Sequence, residues 1–338
     1  MEKRDLLICN SNMFVPYTMT ECLEHKDKQY IVASDTLNII QFFELLKLGN
    51  VTLMTYATGR VNVVHREKIK AKAFLAHYVI ERIVFYHAEY GELANWLLVH
   101  YAKNGVRIEY HKLFDSIPSP KAKWYKSFKI WLKQWLCYDY WPDVLDDGTC
   151  RYPSLPKSFY RKIHAIEQPA HSNMTLVSSR VEGVIKNMGA KGKVLIVSGS
   201  VVDGNFVTEE EYTSKMNSVM EIIGKDNASV KLHPRYSDIF GQEKELTEIP
   251  KYIPGNVMLD VFDTYIGYSS TLLVEAAQAG KKVISTLFLM EPVNKDTQKS
   301  YYDFMEQRLG GKGKIYYPKT IGEFKSIYES IQTNGTKY

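Results

Sequence analysis

Residues 228 to 240 read ASVKLHPRYSDIF, so Lys231, His233, Pro234 and Arg235 stand within five positions directly after a short apolar run. An unperturbed imidazole titrates near about 6.5, close to the second ionisation of a phosphate monoester at about 6. His233 can therefore share a proton, or a charged hydrogen bond, with a departing phosphate. Lys231 and Arg235 add fixed positive potential, and Pro234 restricts the His233 backbone to an extended form. Alone, such a His-Pro pair reads as a turn histidine.

A second group lies further along, in TYIGYSSTLLVEAAQAG (residues 264 to 280), which reads as a strand, two hydroxyls and a helix. Either Ser269 or Ser270 can cap that helix, and the free amides behind the cap can hold an anion without a metal. Alone, the pair reads as a cap only. Both groups occur in order, after strands of the same half of the chain, and together they favour a shared phosphate site.

The elements that must carry these groups alternate between strand and helix patterns. Two segments, DLLICNSNMFVPYTMTECLEH and GKVLIVSGSVVDGNFVTEEEYTSKMNSVMEII, each read as a buried strand, a loop and a helix. Further strands are expected at QYIVAS, NVTLMTY, RIVFYHA and VRIEYHKLF in the first half, and at ASVKLH, VMLDVF, TYIGY and KKVIST in the second. Alternation of this kind favours parallel sheets. Turn-rich EQPAHSN and NMGAKGK place the division so that residues 1–180 form one Rossmann-like domain and 181–338 another. The expected class is α/β with the GT-B arrangement, two such halves facing across a cleft and ligands at the carboxyl ends of the strands.

Composition excludes several classes. With 338 residues and 45% hydrophobic side chains, the chain can supply two cores, and a net charge of +5 gives no argument for nucleic acid. Cys9, Cys22, Cys137 and Cys150 show no C-x-x-C spacing, which fits reduced thiols and no structural metal. The opening MEKRDLLICN is too short in its apolar part for a signal peptide, and no run reaches membrane-spanning length, so a cytoplasmic location is expected.

The KLHPR and YSST groups resemble the HP and Ser-Ser motifs of bacterial sialyltransferases and polysialyltransferases, over about 45 residues closely and over the second half loosely. The resemblance implies transfer from a CMP-activated sugar without cofactor or metal. It implies that His233 stabilises the leaving phosphate, that Ser269 and Ser270 bind it, and that Lys231 and Pro234 lie near the cytosine. The family holds the ribose with an acid that precedes the serines, and here Asn256 occupies the comparable stretch. The loop over the substrates corresponds to Ser198, Gly199 and Ser200.

The family's acidic motif, two acids and a Gly, occurs as Asp146, Asp147 and Gly148 in VLDDGTCRY, which makes Asp147 the first candidate for the base that deprotonates the acceptor. The same three residues can equally form a turn. In the family that motif ends a strand, and by order of elements Asp115 takes the place instead. His87 and Glu89 also follow a buried strand.

Residues 121 to 141 place Trp124, Phe128, Trp131 and Trp135 on one helical face and Lys126, Lys129 and Lys133 on another. Such a helix can lie in a membrane interface. An ordinary buried stripe is the favoured reading.

The expected activity is that of an inverting, metal-independent glycosyltransferase that moves sialic acid, or a related nonulosonic acid, from a CMP donor to a hydroxyl of a surface glycan. Capsule or lipooligosaccharide synthesis at the inner face of a membrane would suit it. Rivals are a GT-B transferase using CMP-Kdo, CDP-glycerol or a UDP-sugar, and a glycan-binding or assembly protein without turnover. Homodimer formation is left open.

Overall fold

The computed structural model describes residues 1–86, 92–112, 117–118, 128, 132, 135–137, 150–151, 163–199, 201–233 and 241–333. It divides into two units, Met1–Asn173 and Met174–Tyr338. Helix Met174–Asn187, which a division at 180/181 would cut, stays whole in the second unit. There it buries Val177, Val181 and Ile185, and the Ser178 hydroxyl donates to the Val257 carbonyl at 3.2 Å.

In the first unit the chain runs β1 (Glu2–Ile8), α1 (Val15–Glu24), β2 (Tyr30–Ser34), α2 (Leu37–Leu46), β3 (Val51–Thr55), α3 (Val61–Leu75), β4 (Tyr78–Phe85), α4 (Glu92–Lys103) and β5 (Arg107–Lys112). A two-stranded antiparallel ribbon, β6 (Ile117–Pro118) with β7 (Cys150–Arg151), precedes β8 (Ile166–Pro169). The main sheet is six-stranded and parallel in the order β3-β2-β1-β4-β5-β8. Strands buried on both faces need continuous apolar runs, and β2, YIVAS, is buried at every position. α1 starts with Pro16 in its first turn, where a missing amide costs nothing.

The second unit repeats this plan. After α5 (Met174–Asn187) come β9 (Val194–Val197), α6 (Glu209–Ile223), β10 (Ala228–Lys231), β11 (Thr247–Ile249), β12 (Thr264–Gly267), α7 (Thr271–Gln278), β13 (Lys282–Ser285), α8 (Lys295–Leu309), β14 (Ile315–Tyr316) and α9 (Ile321–Thr333). Its parallel sheet has the order β11-β10-β9-β12-β13-β14. Read along each unit, both orders are 3-2-1-4-5-6, the doubly wound pattern of dinucleotide-binding folds. The expected α/β class with two Rossmann-like halves is met.

Some element expectations fail. VMLDVF is not a strand. Its first residues close a 3-10 turn, Gly255–Met258, and Val257, Met258, Leu259 and Phe262 are buried without joining the ladder. They pack instead beneath α5 and α7, so an apolar run that periodicity reads as a strand is a connection filling the space between helices. EQPAHSN, taken as linker, supplies most of β8, which completes the first sheet. Of the aromatic stripe, Phe128 and Trp135 lie among the described residues, and they are 50% and 39% exposed, so at these positions it lies on the surface rather than in the core. No helix among the described residues is long and apolar enough to cross a membrane. Cys9, Cys22 and Cys137 are buried, and Cys9 and Cys22 are free thiols.

The interior of the first unit includes a charged cluster. Arg82 of β4 bonds Asp5 of β1 (Nε to Oδ2, 2.9 Å), Glu109 of β5 (Nη1 to Oε2, 3.2 Å) and Glu21 of α1. Burial holds the Asp5 carboxyl above its ordinary value despite Arg82. Against the cost of its own burial, hydrogen bonding and charge from Glu21, Asp5 and Glu109 keep Arg82 protonated.

Candidate functional site

Three strand ends of the second sheet stand side by side. Val197 of β9 is the register partner of Lys231 on β10 and of Gly267 on β12, and β9 lies between the two. The strand order reverses between β9 and β12. In open parallel sheets that reversal leaves a crevice at the carboxyl edge, because the connections on its two sides leave to opposite faces.

Gly267 is required by this junction. A Cβ there would stand 2.8 Å from the Val197 carbonyl oxygen, so any side chain would push the two central strands apart. The chain then turns through Tyr268. Its carbonyl accepts from the Ser285 hydroxyl at 2.6 Å, while the Thr286 amide donates to the Gly267 carbonyl at 2.8 Å. β13 thus fixes the direction in which Ser269 and Ser270 leave the sheet.

Of the two serines, Ser270 is the cap. Its extended backbone (φ −162°) precedes α7, and its hydroxyl accepts from the Leu272 amide at 3.2 Å. Ser269 and Ser270 are both half-buried, and Thr271 is exposed. No acid occupies the first turn of α7, so its positive end is not answered by a carboxylate of its own.

Asn256 lies in the turn that packs on this helix end. A Cβ on its neighbour Gly255 would come within 2.5 Å of Leu272 Cδ2, which shows how closely the turn approaches the first turn of α7. The structure therefore brings Asn256 to the region of Ser269 and Ser270.

On the other side of β9, the Leu232 amide still donates to the Ile249 carbonyl of β11, and the chain leaves the ladder at half-buried His233. The Ser198 amide donates to the Lys231 carbonyl at 3.1 Å, so the loop after β9 begins against the end of β10. Ser198 is buried and Gly199 half-buried. Lys231 is buried, and burial lowers its ammonium to about 7.

His233, Lys231, Ser198, Gly199, Ser269, Ser270 and Asn256 thus belong to one edge of one sheet or to the turn against it. Pro234, Arg235 and Ser200 lie outside the described residues, as do Asp147, Asp115, His87 and Glu89.

Sequence reasoning missed the aromatic wall beside this edge. Phe206, in the loop after β9, meets Tyr301 of α8 edge-on with ring centroids 5.0 Å apart, and Tyr301 meets Tyr268 at 6.5 Å. Burial, with Tyr301 beside it, pushes the Tyr268 hydroxyl up to about 12, so it stays a neutral donor. The Val293 amide ties the loop after β13 to the Phe206 carbonyl at 2.9 Å. The three rings are nearly a hundred residues apart in sequence, and only the β9–β12–β13 adjacency joins them.

This edge can hold an anion against a helix terminus, between an imidazole and a buried lysine, and can offer flat apolar rings beside it.

A scan with protein-family models finds no match, and a search of curated proteins finds none either. Among solved structures, the chain is similar to the UDP-GlcNAc 2-epimerase from Methanocaldococcus jannaschii at 12% identity and a TM-score of 0.47, over 98% of this chain and 92% of that one. It is similar to the glycosyltransferase SnogD from Streptomyces nogalater at 9% identity and a TM-score of 0.46, over 100% and 96%. The wall teichoic acid polymerase TagF gives 10% identity and a TM-score of 0.45, over 98% and 90%.

Proposed function

We propose that the protein is a glycosyltransferase of GT-B type that moves sialic acid, or a related nonulosonic acid, from a CMP-activated donor to a hydroxyl of a surface glycan, with inversion and without a metal. The observation that carries this reading is the common register of Lys231, Val197 and Gly267, which delivers His233 and the Ser269–Ser270 helix end to one carboxyl edge.

In the reaction, the bond from the sugar's anomeric carbon to the phosphate oxygen breaks and its electron pair goes to the phosphate. The acceptor oxygen bonds to the same carbon, and its proton passes to a carboxylate, for which Asp147 is the first candidate and Asp115 the second. His233 donates to the phosphate as negative charge builds on it, and the α7 amides and Ser269 answer the rest of that charge. Asn256 accepts from, and donates to, the ribose hydroxyls. Pro234, Arg235, Ser198, Gly199 and Ser200 complete the donor surroundings. Work at the inner face of a membrane suits a lipid-linked acceptor.

The experiment is a transfer assay with CMP-sialic acid and a glycan acceptor, following CMP release and product. Wild type turns over equally with and without EDTA, and His233→Ala loses about 10²–10⁴-fold in kcat, the usual value of a general acid. Turnover with CDP-glycerol, CMP-Kdo or a UDP-sugar alone would reassign the donor. Binding without turnover of any donor would make the protein a glycan-binding or assembly factor.

A further inference from the structure

An ammonium buried away from water normally has an anion beside it, because an uncompensated charge there is costly and the group gives up its proton instead. Lys231 is 4% exposed, and its Nζ donates to the Leu232 carbonyl at 2.5 Å. No carboxylate among the described residues pairs with it, and burial alone lowers its basicity.

The elements around β10 leave it in that state. β9 carries no titratable side chain between Val194 and Val197. On β11, exposed Glu248 is the register partner of Val230 and so stands on the opposite face from Lys231. Buried Glu243, in the turn Gly241–Glu245, is engaged by the Tyr212 hydroxyl of α6 at 3.0 Å, and Glu209 and Glu210 at the start of α6 are exposed. His233, two residues on, is the nearest titratable group along the chain.

The contact to Leu232, one residue past the end of β10, brings the nitrogen to the edge that carries the α7 terminus. Adjacent strands lie about 4.8 Å apart, so Lys231 and Gly267, both registered to Val197, have Cα atoms about 10 Å apart. A lysine stem spans about 6 Å, comparable with the spacing of the strands, so an anion at the end of β9 lies within its reach.

We propose that the buried Lys231 amine meets the phosphate of an entering nucleotide, so that the ligand supplies the counter-charge its burial lacks and nucleotide binding is coupled to proton uptake. This rests on the reading of the second unit as a nucleotide site. It adds an electrostatic gate: the full positive field of the site exists only with the nucleotide in place, and binding weakens as pH rises above neutrality.

The test is calorimetric titration of CMP, CDP and UDP at pH 8 in buffers of different ionisation enthalpy, where the phosphates are already almost fully ionised. Wild type and His233→Ala take up close to one proton per nucleotide. Lys231→Met takes up none and binds about tenfold more weakly, as expected for loss of a charged hydrogen bond. Lys231→Arg, always charged, binds without uptake. Binding by wild type with no proton uptake, or uptake that persists in Lys231→Met, overturns the inference while leaving the nucleotide reading intact. Absence of any binding by wild type overturns both.

Discussion

Arg82 and Lys231 are both basic side chains on strands of a six-stranded parallel sheet, one in each unit, the first half-buried and the second buried, and their surroundings are opposite. Arg82 stands mid-strand among Asp5, Glu21 and Glu109, and every one of those carboxylates is engaged. Lys231 stands at a strand's carboxyl end, and among the described residues its ammonium bonds one carbonyl. A cation whose charge is answered within the protein is part of the fold. A basic side chain with no acidic partner among the described residues, at the edge where open sheets take ligands, is consistent with a counter-charge brought by a ligand.

Substitution separates the two cases by sign. Arg82→Met should remove the shared partner of Asp5, Glu21 and Glu109, leaving buried Asp5 without its ion pair, and destabilise the first unit by about 3–5 kcal/mol in urea unfolding. Lys231→Met removes a buried amine, strands no charged partner and frees only the Leu232 carbonyl, and should stabilise the second unit by about 2–4 kcal/mol at pH 7. The folded lysine titrates near 7, below its ordinary 10.5. Stability linked to it is therefore present above pH 10.5 and is lost as pH falls toward 7, so the advantage of the Met variant grows over that window. Equal signs for the two variants would break the comparison.

Gly267→Ala forces the β9–β12 junction open and should cost about 1–3 kcal/mol, read as a lower urea midpoint. Nucleotide binding should fall with it, since Lys231 and Ser270 are set by that register. The smallest effect is expected for Ser270→Ala, about 1 kcal/mol from the lost cap. Its nucleotide affinity should drop further than this stability change if the helix end holds phosphate, and not at all if the serine only caps.

The strand ends that carry the site are legible in the sequence because each is an apolar run stopped by a residue that cannot continue it, His233 before Pro234 and the serines before α7. The short strands β8, β11 and β14 are not legible. With four, three and two residues they show no usable period, and their pairing depends on neighbours distant in sequence. VMLDVF fails for the converse reason, since burial alone makes a run apolar whatever its backbone does. The aromatic wall and the isolation of Lys231 are likewise products of strand order. Alternation could place Lys231 on a face but could not say that no acid among the described residues would meet it.

The most direct measurement is thermal stabilisation by CMP, CDP, UMP, UDP, GDP and ADP, with and without EDTA, on wild type and on His233→Ala/Ser270→Ala. A ligand at 100 times its Kd stabilises by about 2.7 kcal/mol, a readily measured shift. The account predicts stabilisation of wild type by CMP, unchanged by EDTA and much reduced in the double variant. Stabilisation that survives intact in the double variant, or none with any nucleotide, would contradict a nucleotide site at the carboxyl edge of the second sheet.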